Sequence, residues 1–137
     1  MTVKLKRSDY DAIIAHAKAG LPNEACGLIA GTIDGGVKTI EKVYLLKNID
    51  ESPEHFSIDP REQLAAVKDM RALGLSPLGN FHSHPETPAR PSAEDIRLAY
   101  DPKASYLILS LAGEAPDLKA FEIESGAATR QTLVVQM

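Results

Sequence analysis

The sequence contains a single cysteine, Cys26, among its 137 residues. One cysteine cannot form a disulfide within the chain, and it cannot supply a second thiolate to a cysteine-based zinc site. This cysteine content favours a reducing compartment. We expect Cys26 to be a small residue of the hydrophobic core, because unpaired cysteines are among the most buried residue types.

Long apolar runs are also missing. The N-terminal stretch "MTVKLKRSDYDAI" has no apolar run of about 7–15 residues ahead of a small-residue cleavage site. No apolar stretch elsewhere reaches the roughly 18 residues that indicate a membrane-spanning helix. The sequence therefore predicts a cytoplasmic protein without a membrane segment.

Blocks of basic residues are absent as well. The formal net charge is -4 at pH 7, and Lys and Arg nowhere form a block of about five or six. A protein that follows a phosphate backbone or an anionic membrane surface needs such a cluster of positive charge. We therefore expect neither nucleic acid nor a membrane as a partner.

The residues that are present have the composition of a globular domain. Apolar residues make up 44% of the chain and charged residues 25%. These values match soluble domains and fit disorder, collagen and coiled coils poorly. The length suits one hydrophobic core, so we predict a single domain over residues 1–137.

Hydrophobic periodicity and turn residues predict eight strands and three helices. The strands are predicted at residues 2–6, 24–31, 37–46, 55–59, 75–84, 105–111, 118–124 and 129–136. The helices are predicted at residues 9–19 after a Ser8 cap, at residues 60–72 after Asp59 as cap, and from Ser92 onward. This order predicts an α+β fold, a mixed three-layer α/β/α arrangement in which a central mixed sheet is flanked by helices.

Two of the four histidines stand one residue apart in "GNFHSHPETPARPSAEDIRLAY". Side chains at positions i and i+2 of a strand project from the same face, so His82 and His84 can direct their imidazoles toward one point. The stiff segment from Pro85 to Pro91 then leads into a helix whose first turn holds Asp95. Two imidazoles and a carboxylate are ligands that zinc accepts in catalytic sites, where a fourth position stays open for water.

A simpler interpretation of the same residues is helix capping. Ser92 followed three residues later by Asp95 is a typical N-cap with an acidic residue that suits the helix dipole. Capping alone does not explain the two histidines on the preceding strand. The joint pattern of His82, His84, Pro85, Ser92 and Asp95 would arise by chance about once in 10⁵ chains of this length.

These residues resemble the metal-binding motif of the JAMM metalloproteases (MPN+, Mov34/PAD-1), and the resemblance covers essentially the whole chain. "LPNEACGLIAG" is similar to the upstream segment that carries the family's catalytic glutamate, and "HFSIDP" to its strand-to-helix junction. The resemblance implies a cytidine-deaminase-like fold. It also implies that His82, His84 and Asp95 bind Zn²⁺, that Glu24 is the general acid/base, and that Ser92 polarises the scissile carbonyl or holds the oxyanion.

The chemistry of amide hydrolysis is consistent with this set of residues. Zinc lowers the pKa of a bound water from about 15.7 toward 7, and a carboxylate must carry the proton to the poor leaving nitrogen. Because Glu24 precedes the apolar stretch from Ala25 to Ala30, we expect its pKa to be raised. Without the resemblance, a solvated acid at the edge of a strand would be the simpler interpretation of Glu24.

The remaining polar residues near the motif have weaker assignments. His16 and His55 are expected to be structural or solvated. Asn80 and Ser83 flank the ligands, and we expect them to orient the imidazoles.

The resemblance also implies a class of substrate. Only nine residues separate Asp95 from the strand that begins near Ser105, which leaves no room for the insertions found in members that process polyubiquitin. The chain is similar to the compact bacterial members. We therefore expect a zinc-dependent metallopeptidase or isopeptidase that acts on the C-terminal tail of a ubiquitin-like or sulfur-carrier protein, with the tail bound as an added strand.

Three other functions stay open at this point. A non-catalytic MPN-type scaffold would usually lack the metal ligands that are present here. A DNA-repair-associated domain of related fold shares the His-x-His-Pro pattern, but the net negative charge argues against it. A small-molecule amidohydrolase on the same fold is the third.

Overall fold

The computed structural model describes all 137 residues and contains seven strands and three helices. The strands are β1 (Thr2–Lys6), β2 (Cys26–Asp34), β3 (Val37–Leu46), β4 (Ser76–His84), β5 (Ser105–Ser110), β6 (Asp117–Glu124) and β7 (Ala127–Gln136). The helices are α1 (Arg7–Ala19), α2 (Pro60–Ala72) and α3 (Ala93–Arg97). No helix combines the length and the apolar character that a membrane crossing requires.

The strands form one mixed sheet in the order β1-β3-β2-β4-β5-β6-β7, which closes because β1 pairs with both β3 and β7. The pairs β1–β3, β1–β7 and β4–β5 are parallel, and the others are antiparallel. The predicted α+β class with a mixed sheet is confirmed. Closure of the sheet was not predicted, because it depends on contacts between the two ends of the chain.

The main hydrophobic core fills the inside of this closed sheet. Ile13 and Ala17 of α1 pack there against apolar side chains from β1 to β6, with Leu133 of β7 at the margin. A smaller cluster joins Ala66 and Met70 of α2 to Ala30 of β2. Consecutive strand residues point to opposite faces, and β2 contributes Ile29 to the first cluster and Ala30 to the second. Helices α1 and α2 therefore pack against opposite faces of the sheet at β2.

One predicted helix start differs from the structure. Helix α1 begins at Arg7, and Lys6 rather than Ser8 occupies its N-cap without a capping side chain. Helix α3 begins as predicted, with Ser92 as its N-cap, and it is only five residues long.

The strand predicted at residues 55–59 does not form. Only an isolated bridge between Asn48 and Ile58 is present there. The side chain of Asn48 accepts a hydrogen bond from the backbone N–H of Ser57 and donates one to the carbonyl oxygen of His55. Since a side chain already satisfies these backbone groups, they are not available to a neighbouring strand.

Candidate metal centre

Strand β4 carries the two histidines in the middle of the sheet. It lies between β2 and β5, and His82 and His84 are 2% and 4% exposed. Both side chains project from the same face, as predicted, and their Nε2 atoms lie 3.1 Å apart. The Nδ1 atom of His84 lies 2.9 Å from the carbonyl oxygen of Pro88, to which it can donate a hydrogen bond. That bond fixes the ring and leaves the Nε2 lone pair directed at His82.

Asp95 reaches the histidines from the first turn of α3. The Oδ2 atom of its carboxylate lies 3.2 Å from the Nε2 atoms of both His82 and His84. The same oxygen accepts a hydrogen bond of 2.9 Å from the backbone N–H of Ser92, and the Ser92 hydroxyl oxygen accepts one of 3.0 Å from the backbone N–H of Asp95. This capping box holds the carboxylate toward the imidazoles, so the capping and metal-site interpretations of Asp95 are compatible.

The spacing of these three side chains fits a tetrahedral metal ion. Ligand atoms at about 2.0–2.1 Å from a tetrahedral zinc ion lie about 3.3 Å from one another. The three atoms here form a triangle with sides of 3.1, 3.2 and 3.2 Å. The set His82, His84 and Asp95 can therefore hold a metal ion in place of the protons that otherwise bridge these atoms.

The pKa values of Asp95 and His84 are shifted by their mutual contact. Burial opposes ionisation of Asp95, but hydrogen bonds from His82 and His84 keep the pKa of its carboxyl well below the usual range. Burial would lower the pKa of His84, and its hydrogen bonds to Asp95 and the Pro88 carbonyl outweigh that effect and raise this pKa. The carboxyl group of Asp95 is thus ionised at neutral pH, as a metal ligand must be.

Glu24 lies just before β2 and faces the same region. It is 4% exposed, and its Oε1 atom has no hydrogen-bond partner. Burial raises the pKa of Glu24 to about 8, as expected from its apolar neighbours, and nearby carboxylates including Asp95 add to the rise while His84 opposes it. A buried carboxyl with a pKa near neutrality can both accept and donate a proton at neutral pH.

Ser83 connects Glu24 to the histidine strand. Its side chain points away from the imidazoles, and its hydroxyl oxygen accepts a hydrogen bond of 2.8 Å from the backbone N–H of Ala25. The Ser83 N–H in turn donates to the carbonyl oxygen of Ala25 at 2.9 Å. The expectation that Ser83 orients the imidazoles is therefore wrong, and the residue instead fixes the backbone next to Glu24.

Asn48 was not identified from the sequence, although it is a centre of hydrogen bonding beside the site. It is 8% exposed, and its amide nitrogen donates to the carbonyl oxygens of Glu24 at 3.0 Å and His55 at 3.0 Å. Its amide oxygen accepts from the backbone N–H groups of Asp50 at 3.0 Å and Ser57 at 3.2 Å. An asparagine at the start of a loop gives no sequence signal for such a role.

The loop held by Asn48 places an aromatic ring against the metal cluster. Phe56 stacks on the imidazole of His82, with ring centroids 4.8 Å apart and an interplanar angle of 24°. The Nδ1 atom of His82 and the Oδ1 atom of Asn80 are buried without partners. Asn80 and His82 are i and i+2 on β4, so both side chains project from one face of the strand, but Asn80 makes no hydrogen bond to the imidazole that it was expected to orient.

Two hollows flank the three side chains. The first, here called the aromatic hollow, is lined by Phe56, Leu98 and Tyr106 together with the polar residues His55, Asn80, His82, Glu94 and Asp95. The second, here called the acidic hollow, has a volume of about 470 Å³. It is lined chiefly by Glu24, Glu54, His84, Glu86, Ser92 and Glu94. Glu94 lines both hollows, and only the first contains the rings of Phe56 and Tyr106.

The remaining candidates are not among the three ligands, although His55 lines both hollows. The Nε2 atom of His16 is 2.9 Å from the carbonyl oxygen of Leu46, and the Nδ1 atom of His55 is 3.1 Å from a carboxylate oxygen of Asp50. Cys26 is fully buried, and burial raises the pKa of its thiol to about 12. These two histidines and the cysteine have the structural positions expected of them.

Comparison with known proteins gives a consistent picture. Residues 6–124 match the family described as prokaryotic homologs of the JAB domain. The chain is 33% identical over 126 residues to a CysO-cysteine peptidase of Mycobacterium tuberculosis (strain ATCC 25618 / H37Rv), covering 91% of this chain and 85% of that protein. It is 40% identical over 86 residues to a probable TtuB-protein conjugate cleaving protease of Thermus thermophilus, covering 62% of this chain and 55% of that protein.

Solved structures show the same fold. The solution structure of protein DSY2949 from Desulfitobacterium hafniense superposes with a TM-score of 0.90 at 53% identity, covering 99% of this chain and 93% of that one. The crystal structure of AF2198, a JAB1/MPN domain protein from Archaeoglobus fulgidus, gives a TM-score of 0.60 at 23% identity, covering 98% and 99%. The second likeness supports the fold alone.

Proposed function

Because the chain belongs to the prokaryotic homologs of the JAB domain, we propose that it is a zinc-dependent peptidase or isopeptidase. The observation that carries this proposal is the triangle of His82, His84 and Asp95 beside a buried, unpartnered Glu24. A non-catalytic scaffold has no need to bury a carboxyl of raised pKa next to three convergent ligands.

In this proposal His82, His84 and Asp95 would hold a zinc ion, and the chemistry that such an ion would supply is a water of lowered pKa and a Lewis acid for the scissile carbonyl. The imidazole of His84 is oriented by the Pro88 carbonyl oxygen, and the carboxylate of Asp95 by the Ser92 N–H. Three protein ligands leave a coordination position open, which distinguishes catalytic from structural zinc sites.

Glu24 is proposed to move the proton from the attacking water to the leaving nitrogen. Its carboxyl is buried, and its Oε1 atom makes no hydrogen bond within the protein. An acid that must both accept and release a proton gains from a pKa near the working pH, and positioned groups of this kind contribute about 10²- to 10⁴-fold in rate.

Ser92 is proposed to stabilise the developing oxyanion. Its hydroxyl oxygen accepts from the backbone N–H of Asp95, while its hydroxyl hydrogen is free to donate into the acidic hollow. One hydroxyl can thus cap α3 and donate to substrate. A donor of this kind is worth about 2.7–4 kcal/mol of transition-state stabilisation.

The proposed substrate is the C-terminal tail of a ubiquitin-like or sulfur-carrier protein joined to another group through an amide bond. Two relatives support this proposal, because one is named as a CysO-cysteine peptidase and the other as a probable TtuB-protein conjugate cleaving protease. We propose that the chain acts as a single domain in the cytoplasm, with neither nucleic acid nor a membrane as partner.

The decisive experiment is hydrolysis with controlled metal content. Purified protein is stripped with a chelator, reloaded with zinc, and incubated with candidate carrier proteins bearing a C-terminal extension, and the products are weighed by mass spectrometry. We expect cleavage after the carrier tail only in the zinc-loaded sample. Full activity after complete metal removal would contradict the proposal, as would zinc-bound protein that cleaves none of the candidates.

A further inference from the structure

The acidic hollow holds more negative charge than its surroundings neutralise. Glu54, Glu86 and Glu94 line it together with Glu24, and neither Lys nor Arg does. None of these four side chains takes part in an ion pair, and the negative charge at neutral pH comes from Glu54, Glu86 and Glu94, because burial raises the pKa of Glu24 to about 8. Acidic side chains that serve only solubility are normally interspersed with basic ones, and like charges that share a cavity repel each other.

A second observation shows that this hollow is built to receive a ligand. The Oε1 atom of Glu24 is buried without a hydrogen-bond partner, although Glu24 is only 4% exposed and lines the hollow. A buried, unsatisfied carboxylate oxygen costs free energy unless a donor binds to it. The hollow therefore offers an inner acceptor and an outer ring of three carboxylates.

The position of Glu24 also sets the direction in which a substrate lies. A general acid must be within hydrogen-bond reach of the atom that it protonates, which in amide hydrolysis is the leaving nitrogen. Glu24 lines the acidic hollow together with the ligand His84, and it also lines a cavity beside α1 that contains none of the three ligands, but it does not line the aromatic hollow. The leaving side of the substrate therefore occupies the acidic hollow, and the acyl side lies toward Phe56, Leu98 and Tyr106 in the aromatic hollow.

We propose that the acidic hollow selects isopeptide conjugates, in which the leaving amine is the side chain of a lysine within a segment of a target protein that is rich in Lys and Arg. Hydrolysis adds one water across the C–N bond, and it produces a carboxylate on the acyl side and an amine that becomes ammonium at neutral pH. The cationic product and its basic neighbours match the charge of the hollow.

The same hollow disfavours adducts of a carrier tail with a single amino acid. In such an adduct the free α-carboxylate is attached to the carbon that bears the scissile nitrogen, so it would stand among Glu54, Glu86 and Glu94. An isopeptide bond places four methylene groups between the scissile nitrogen and the target backbone, with no anion nearby. This inference rests on the proposed function and names the substrate class of the proposed site.

The test compares leaving groups on a common acyl peptide that ends in Gly-Gly. Zinc-loaded protein is given four substrates: a lysine isopeptide flanked by two arginines, the same isopeptide flanked by two aspartates, an α-linked alanine with a free carboxylate, and its amide. We expect kcat/KM to be at least about tenfold higher for the arginine-flanked isopeptide than for the aspartate-flanked one, and at least about threefold higher for the amide than for the free acid. Both ratios should shrink as salt is added.

Charge-reversal variants test whether the acidic hollow causes the preference for the arginine-flanked isopeptide. Glu54→Lys and Glu86→Lys should each reduce the arginine preference by about threefold or more, whereas Glu124→Lys changes the net charge equally in the β6–β7 hairpin, away from both hollows, and should leave the preference intact. Binding of a fluorescent Lys- and Arg-rich peptide, measured by anisotropy, supplies a readout that does not need catalysis. We expect both hollow variants to weaken this binding and the control to retain it.

The outcomes separate this inference from the proposed function. Equal kcat/KM for all four substrates, a preference for the free acid, or equal effects of the hollow variants and Glu124→Lys would overturn the inference alone. Charge-selective peptide binding without cleavage of any substrate would support the surface assignment and overturn the peptidase. Neither binding nor cleavage would overturn both.

Discussion

At the scale of single residues, Asp95 combines the two roles that the sequence offers as alternatives, helix cap and metal ligand. Its Oδ2 atom accepts a hydrogen bond from the Ser92 backbone and lies 3.2 Å from the Nε2 atoms of both histidines. A carboxylate oxygen has two lone pairs and can serve a helix cap and a cation together. Helix capping thus orients the ligand.

Glu24 is the residue whose replacement tests the chemistry most directly. Glu24→Gln keeps the size of the side chain but cannot carry a proton, so hydrolysis by zinc-loaded protein should fall by at least about 10²-fold. Because Glu24 is outside the triangle of ligand atoms, zinc content by elemental analysis should be unchanged. Glu124→Gln serves as the matched control and should keep full activity. Retention of most activity by Glu24→Gln would show that another group moves the proton.

At the scale of elements, the loop between β3 and α2 contains the one strand that hydrophobic periodicity predicted wrongly. The stretch His55–Asp59 has the composition of a strand, yet it forms only one bridge, to Asn48. A buried amide side chain replaces the hydrogen bonds of a neighbouring strand, and no pattern of apolar residues records that substitution. The loop bends around Asn48, and that bend brings Phe56 onto His82.

Asn48 should therefore matter for both stability and activity. Asn48→Ala removes the donor to the carbonyl oxygens of Glu24 and His55 and the acceptor for the N–H groups of Asp50 and Ser57. Each buried backbone group left unsatisfied costs about 1–3 kcal/mol, so urea unfolding should show a loss of at least about 2 kcal/mol. We also expect kcat to fall while zinc content is unchanged, because the loop carries no ligand.

The variant Asn48→Asp distinguishes the hydrogen bonds that Asn48 donates from those that it accepts. The aspartate retains an oxygen for the two N–H groups but cannot donate to the carbonyl oxygens, so it should not restore kcat. Wild-type stability and kcat in the alanine variant would show that the loop is held by other contacts.

The contact between β3 and α2 gives a prediction for pH dependence. Hydrogen bonds from Lys42 and Tyr44 lower the pKa of Asp69, at 2.6 Å each. A carboxyl with a lower pKa in the folded state stabilises the fold above its unfolded pKa of about 3.9, and this stabilisation is lost as the pH falls through the folded value. Asp69→Asn should therefore lower the free energy of unfolding at pH 7.

The difference in unfolding free energy between wild type and Asp69→Asn should shrink steadily below about pH 4. Urea denaturation of both proteins at several pH values measures it. Asp117→Asn is a matched control, because Asp117 is an exposed carboxylate whose contact with Lys119 lies within one strand. A difference between wild type and Asp69→Asn that does not depend on pH would show that the charge of Asp69 contributes nothing.

At the scale of the whole molecule, the sequence predicted the parts of the site that depend on local geometry. His82 and His84 share a face because of the two-residue period of a strand, and the Ser92 cap follows from local helix rules. Closure of the sheet and the acidic hollow were not predicted, because each joins distant segments. Glu54 lies between β3 and α2, whereas Glu86 and Glu94 belong to the segment from the end of β4 into α3, and these two parts of the chain meet only after folding.

A metal ion bound by these three side chains should stabilise the folded protein against unfolding. Two ligands come from β4 and the third from α3, 11 residues beyond His84, so an ion that binds them also closes the intervening loop. A ligand that binds only the folded state stabilises it by about 2.7 kcal/mol at a concentration of 100 times Kd. We expect the Tm measured by calorimetry to rise when zinc is added to chelator-treated protein and to fall again with excess chelator.

His82→Ala and Asp95→Ala should abolish this rise in Tm, because each removes one of three ligand atoms. Glu24→Gln should show the full rise, since Glu24 is not among the ligand atoms. That contrast separates metal binding from catalysis in a measurement that needs no substrate. A wild-type Tm that is insensitive to zinc would contradict a shared ion at this site, and an equal rise in His82→Ala would place the ion elsewhere on the molecule.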